Sequence, residues 1–234
     1  MLKTIEFFLP QILLGTVLGG LISILGVVLV LKKKAFFGIT VSQVISSSVA
    51  LGLFFGLSNE ILTLGITILI LIPLIYFLKL NDSDDTILGI VFVGFTAFTQ
   101  LLLNMGGNVK NHIMAAYFGD ILTSSVKFKI EIIGILIIAV LIYILIYKKI
   151  LFLSFDRDEY ITRYGSPIRL EILYYLTIIT VISITVNLLG SFYSIAHLLI
   201  PCFAGLQFAR SMKFLLIFSF YLVFSVQGLV LYYL

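Results

Sequence analysis

Eight apolar runs, each about as long as a bilayer crossing, dominate this sequence, near residues 11–31, 39–57, 61–79, 86–104, 130–147, 171–189, 191–208 and 214–232. A helix needs roughly 20 apolar residues to cross hydrocarbon, where it must satisfy its backbone groups internally. The pattern therefore predicts an all-α, polytopic membrane bundle of about eight helices. In 234 residues these spans leave no room for a separate soluble domain, so the chain reads as one transmembrane domain over 1–234. Composition agrees: 61% hydrophobic and 11% charged, against about 45–50% and 25% in soluble domains. The first run is not read as a cleaved signal peptide, because its positive cluster follows the apolar stretch instead of preceding it.

Charge sets the orientation. With Lys32, Lys33 and Lys34 cytoplasmic, alternation puts 80–85, 148–170 and 209–213 on the same side. That side then also holds Lys79, Lys148, Lys149, Arg157, Arg163, Arg169, Arg210 and Lys213, against Lys3, Lys110, Lys127 and Lys129 outside. The bias has the sign of the positive-inside rule and makes both termini external. The net charge of +4 is too small and too scattered to imply nucleic acid. Between 105 and 129, Asn104-Met105-Gly106-Gly107-Asn108 breaks the helix and 112–122 is too short to cross, which predicts a re-entrant or interfacial helix. Glycines such as Gly15, Gly19, Gly20, Gly89 and Gly94 predict close helix packing.

Several chemistries are missing from the sequence. It has no G-x-x-x-x-G-K-[ST] loop, so ATP hydrolysis by that route must reside on another subunit. It has no H-E-x-x-H or G-x-S-x-G, and its only histidines are His112 and His197. Cys202 is the only cysteine, which excludes an intrachain disulfide. The spans contain no carboxylate except Glu131 and Glu171 near helix ends, with Glu60 just outside one. That disfavours both an intramembrane hydrolase and an ion-coupled secondary transporter.

Two regions stand out against this background. The second span carries Thr40, Ser42, Gln43, Ser46, Ser47 and Ser48, and helical spacing gathers Gln43, Ser46 and Ser47 into one polar strip. Such a strip serves either interhelical hydrogen bonding or a pathway wall. Asn187 and His197 are further polar positions within spans. The cytoplasmic segment 148–170 holds Asp156, Asp158 and Glu159, with Arg163 four residues after Glu159. That spacing predicts a short amphipathic helix closed by Gly165 and Pro167, as an ordinary solvated loop or as a docking element for a partner.

At this segment the sequence resembles the permease subunits of the zinc, manganese and iron family of ABC importers. Leu153-Ser154-Phe155-Asp156, Glu159, Gly165 and Pro167 follow that family's L-L-S-F-D-x-E-x-A-x-x-x-G-x-P nearly in step. Asp85-Thr86-Ile87-Leu88-Gly89-Ile90, the stretch from Met114 to Leu122 with Tyr117-Phe118-Gly119-Asp120, and Leu189-Gly190 with Ala196, Leu198-Leu199-Ile200-Pro201 and Ala204 resemble its other motifs in the same order. The resemblance covers most of the chain, about 26–211. It implies a multi-pass permease in a prokaryotic cell membrane, surrounded by lipid and paired with a second permease chain. It also implies a cytoplasmic ATPase that carries the ATP, an external metal-binding protein, and no cofactor in this chain. Asp156, Glu159, Arg163, Gly165 and Pro167 would then couple to the ATPase, and Ser42, Gln43, Ser46, Ser47, Asn187 and His197 would line or adjoin the pathway.

One departure bears on the substrate. The family's second span begins near L-G-D-A-L-S-H-A-x-L-P-G, and its Asp and His are the expected cation ligands. Here Ile39 and Gln43 occupy those positions, and Ser47 replaces the proline. Isoleucine cannot ligate, and an amide oxygen is a poor zinc donor. A partner permease chain carrying intact ligands, a weakly held or chelated substrate, and a degenerate chain acting as a membrane scaffold are the three readings this leaves.

Overall fold

The computed structural model describes residues 2–56, 65–72, 85–105, Tyr117, Gly119 and 126–233. Its helices are α1 (Leu2–Leu31), α2 (Ala35–Phe54), α3 (Asp85–Met105), α4 (Val126–Phe155), α5 (Arg157–Tyr164), α6 (Ile168–Leu189), α7 (Ser191–Phe208) and α8 (Met212–Tyr233). A further helical stretch covers 65–72. Helices α1, α2, α4, α6 and α7 are long and apolar enough to cross a membrane, and α3 and α8 contain shorter apolar stretches, Thr86–Leu102 and Met212–Gly228. The expected all-α membrane bundle is what forms. The span expected at 61–79 is described only over 65–72, and the re-entrant helix expected within 105–129 lies outside the described residues except at Tyr117 and Gly119.

Helix α1 is the hub, packed against α7 and α8 and also touching α2, α4 and α6. Leu18, Ile22, Leu25, Val28 and Leu29 fill the interior from it. At Gly26 a Cβ would fall onto the Leu198 carbonyl oxygen. Only glycine lets α1 and α7 meet there, backbone against backbone. At Gly89 and Gly94 a Cβ would meet nothing within 4 Å among the described residues.

Of the apolar windows, that in α2 is 72% buried and that in α4 only 22%. Helix α4 turns Ile137, Ile138, Leu141, Ile144 and Leu145 outward, as suits a helix against lipid or another chain. It also runs further than the sequence suggested: with no Gly or Pro after Gly134, nothing stops it before Asp156. Lys148 and Lys149 therefore lie on its last turns, and the connection expected on the cytoplasmic side is the helix α5 with short joints on each side.

The α1–α2 turn has a defined cap. Lys34 N–H donates to Leu29 O and Lys33 N–H to Val30 O, while Lys33 takes φ +58°. This is the Schellman arrangement, with lysine where glycine is usual. At the opposite end of the bundle, a Cβ on Gly119 would run into the backbone of Leu188, Leu189 and Gly190. Gly119 thus rests on the α6–α7 turn, on the side that alternation makes external.

Candidate permeation and coupling sites

The polar residues of α2 are nearly all inside: Thr40, Ser42, Ser46, Ser47 and Ser48 have no exposed surface and Gln43 has 4%. Most return their hydroxyls to backbone. Ser42 Oγ donates to Gly38 O and Ser48 Oγ to Val44 O, each at 3.0 Å. Thr40 and Ser47, two turns apart, reach α3: Thr40 to Leu88 O at 3.3 Å, and Ser47 to Phe95 O at 2.8 Å and the Thr99 hydroxyl at 2.6 Å. For these two, the interhelical hydrogen bonding allowed by the sequence is what forms.

Gln43 differs. Its Oε1 is buried and has no hydrogen-bond partner among the described residues, a deficit that costs about 1–3 kcal/mol in an ordinary interior. Helical phase explains its isolation. Thr40 and Ser47 face α3, Phe37 packs on Tyr175 of α6 with ring centroids 5.0 Å apart, and Gly38 abuts Leu198 of α7 and Leu29 of α1. Ile39, Gln43, Ser46 and Ala50 share the remaining side. At its outer end Ala50 clusters with Leu102, against Leu51 and Tyr117. Tyr117 in turn stacks on Phe192 of α7 at 5.6 Å and accepts a hydrogen bond from Gln100 of α3 at 3.1 Å. The strip carrying Gln43 therefore leads to a knot that joins α2, α3 and α7.

The other two pathway candidates stand elsewhere. Asn187 donates to Ser183 O on its own helix at 2.8 Å, beside the Ser183 hydroxyl, another buried group with no partner among the described residues. His197 belongs to an α1–α7–α8 junction. Its ring stacks on Tyr193 with centroids 3.8 Å apart and its Nδ1 lies 2.9 Å from Tyr193 O. Tyr193 donates to Gly15 O at 2.9 Å and accepts from Gln227, which also accepts from Thr16. Sequence reasoning missed this network. Its available signal was the isolated polar pair, Thr16 and Gln227, in otherwise apolar helices. Among the described residues no three His, Cys, Asp or Glu side chains gather as a metal site.

Helix α5 is built cap by cap. Asp156, in extended conformation, accepts from Glu159 N–H at 2.8 Å, as an N-cap should. Glu159 pairs with Arg163 at 3.4 Å on the exposed side. Gly165 ends the helix at φ +79°, ψ −155°, its N–H donating to Ile161 O. That backbone region is essentially reserved for glycine, although among the described residues nothing lies within 4 Å of where a Cβ would be. Tyr160, 5% exposed, anchors α5 through Phe152 at 6.0 Å, and Pro167 is buried at the joint to α6. Asp156, Glu159, Arg163 and Gly165 are exposed, as are the apolar Ile161 and Tyr164. The exposed side of α5 thus combines charged and apolar side chains.

The sequence model of the ABC 3 transport family matches residues 4–234. The chain is 29% identical over 210 residues to the high-affinity zinc uptake system membrane protein ZnuB of Haemophilus influenzae, covering 88% of this chain and 79% of that protein. It is 26% identical over 227 residues to the manganese import system permease protein ScaB of Streptococcus gordonii, covering 93% and 78%. Among solved structures, PsaBC from Streptococcus pneumoniae in complex with Fab shares the fold, with a TM-score of 0.74 at 23% identity over 95% of this chain and 80% of that one.

Proposed function

The chain belongs to the ABC 3 transport family, and from that premise we propose that it is the pathway-forming permease of an ATP-driven importer of zinc, manganese or iron. ATP is hydrolysed on a separate cytoplasmic subunit, an external metal-binding protein delivers the cation, and a second permease chain completes the pathway. Metal-import relatives support the substrate class. The observation that carries the coupling is α5: a helix fixed at both caps, held to α4 where Tyr160 and Tyr164 pack on Phe152, with its charged face exposed on the cytoplasmic side.

The mechanism follows from the joints. Only Asp156 separates α5 from α4, and only residues 165–167 separate it from α6. An ATPase that grips α5 and closes on ATP therefore moves the ends of two membrane helices together. Packed interfaces shift between discrete arrangements instead of deforming smoothly, so this movement opens the α2 strip to alternate sides. Replacing Gly165 by valine should prevent ATPase co-purification while the chain still inserts in the membrane. Normal assembly of that variant would contradict the coupling assignment.

A second reading is supported by α2 itself. Its serine hydroxyls are largely satisfied within the bundle, as in a permease kept as a membrane scaffold for another chain. Under that reading alanine at Ser42, Ser46 and Ser47 leaves metal uptake unchanged, whereas a working pathway predicts a change in rate or selectivity.

A further inference from the structure

At the cytoplasmic end of α1, Lys32 Nζ lies 3.2 Å from Glu171 Oε1, with side chains only 11% and 13% exposed. The two residues are 139 positions apart. Lys32 Nζ also sits 5.9 Å from the ring centroids of both Tyr174 and Tyr175. Burial is the main influence on its ammonium and holds its pKa below the usual lysine value, against the opposing pull of Glu171. Two charges kept nearly dry are a poor device for stability, since well-packed apolar residues often serve as well or better. Fixing a register between moving parts is the better-attested use of such a pair.

The location supplies the moving parts. Glu171 lies in the first turn of α6, its N–H donating to Pro167 O at 2.9 Å, directly beyond the joint from α5. Arg157, the first residue of α5, is close enough to act on the charge of Lys32. On the other side, Lys32 opens the short turn into α2, whose next residue, Lys33, is held in the left-handed region. The same end of α6 grips its neighbours twice more: Tyr174 Oη donates to Leu25 O of α1 at 3.1 Å, and Tyr175 packs on Phe37 of α2. The Lys32–Glu171 pair is the charged link in a clamp that joins the exit of α5 to the entrance of the helix bearing Gln43.

We propose that the Lys32–Glu171 pair is a positioning element that transmits movement of α5 to α2, and so sets how tightly ATP hydrolysis is coupled to transport. It rests on the permease reading above. The pair touches no substrate; it acts by making the α1–α2 turn travel with α6. Breaking it leaves the ATPase docked and able to cycle while α2 lags behind.

The test uses the whole importer, with ATPase and external binding protein, in proteoliposomes, reading ATP hydrolysis and uptake of manganese(II) and zinc(II) side by side. Lys32→Met and Glu171→Gln should each assemble and hydrolyse ATP yet lower the uptake-to-hydrolysis ratio about tenfold, within the roughly 5–150-fold range of intersite coupling. The exchanged pair, Lys32→Glu with Glu171→Lys, should recover much of that ratio. A ratio unchanged in both single variants would overturn the proposal, as would an exchanged pair no better than the singles. Loss of every variant, including Lys32→Met with Glu171→Met, from the membrane would assign the pair to folding alone and overturn it too. An assembled wild-type complex that moves neither of these metals, nor iron(II), with ATP would instead sink the permease reading, and this inference with it.

Discussion

Helix α5 and the middle of α2 hold the proposed coupling and pathway residues, and they match the family pattern differently. In α5 each matching residue has a visible structural role, since Asp156 caps, Gly165 supplies a conformation other residues resist, and Pro167 is buried at the joint to α6. In α2 the buried polar helix is present, but Ile39 and Gln43 stand where the strong donors would be, and the Gln43 oxygen is left without a partner among the described residues. The contrast separates two requirements of a permease. Docking a partner depends on backbone geometry and exposed surface, whereas selecting a cation depends on donor chemistry at a few interior atoms. A chain can meet the first in full and the second in another way.

The largest effect that would break this comparison is expected at Gly165. Valine there must adopt a backbone region that costs about 1–3 kcal/mol or give up the helix end, so ATPase co-purification should be lost while membrane insertion persists. Retained co-purification would mean that α5 does not depend on its cap. Next comes restoration of the donors: Ile39→Asp together with Gln43→His should create zinc binding, measured by calorimetry on the detergent-solubilised protein, where the parent chain shows little. An unchanged isotherm would show that this side of α2 is not open to a cation.

A smaller effect sharpens the same contrast at Gln43 alone. Leucine removes an unpartnered buried oxygen and should stabilise the protein by about 1–2 kcal/mol in a thermal or denaturant assay, while uptake falls. Opposite signs for stability and uptake would mark a group kept for function; parallel changes would mark a merely structural one. Asp156→Ala should cost about 1 kcal/mol of local helix stability and weaken ATPase binding without abolishing it, seen as a shifted titration with purified ATPase. Smallest is Lys33→Gly, expected to be neutral or to stabilise by at most about 1 kcal/mol, because glycine takes φ +58° freely but gains more freedom when unfolded.

Much of the fold was legible because membrane helices announce themselves locally. The α7 boundaries, Ser191–Phe208, coincide with the apolar run, since Gly190 and Arg210 punctuate it. Helix α4 outran its expectation because Lys148 and Lys149 were read as the end of a span, although charge at a membrane edge does not break a helix. In the α5 segment, Asp156, Glu159 and Gly165 could be read from spacing, as caps and i,i+4 pairs are short-range. The Lys32–Glu171 pair could not, nor could the Thr16–Gln227–Tyr193 network, because each joins residues far apart in sequence whose meeting is decided by helix packing. The isolation of Gln43 was hidden for the same reason. Its neighbours on α2 were known from the sequence, but which side each adjoining helix takes was not.

Whether this chain carries metal into the cell can be read from the elemental content of metal-starved cells with and without it, after brief exposure to zinc, manganese and iron. A working permease predicts a selective deficit of one of these elements in cells lacking the chain, restored by re-expression. Equal contents of all three, with the chain confirmed in the membrane, would contradict the import function.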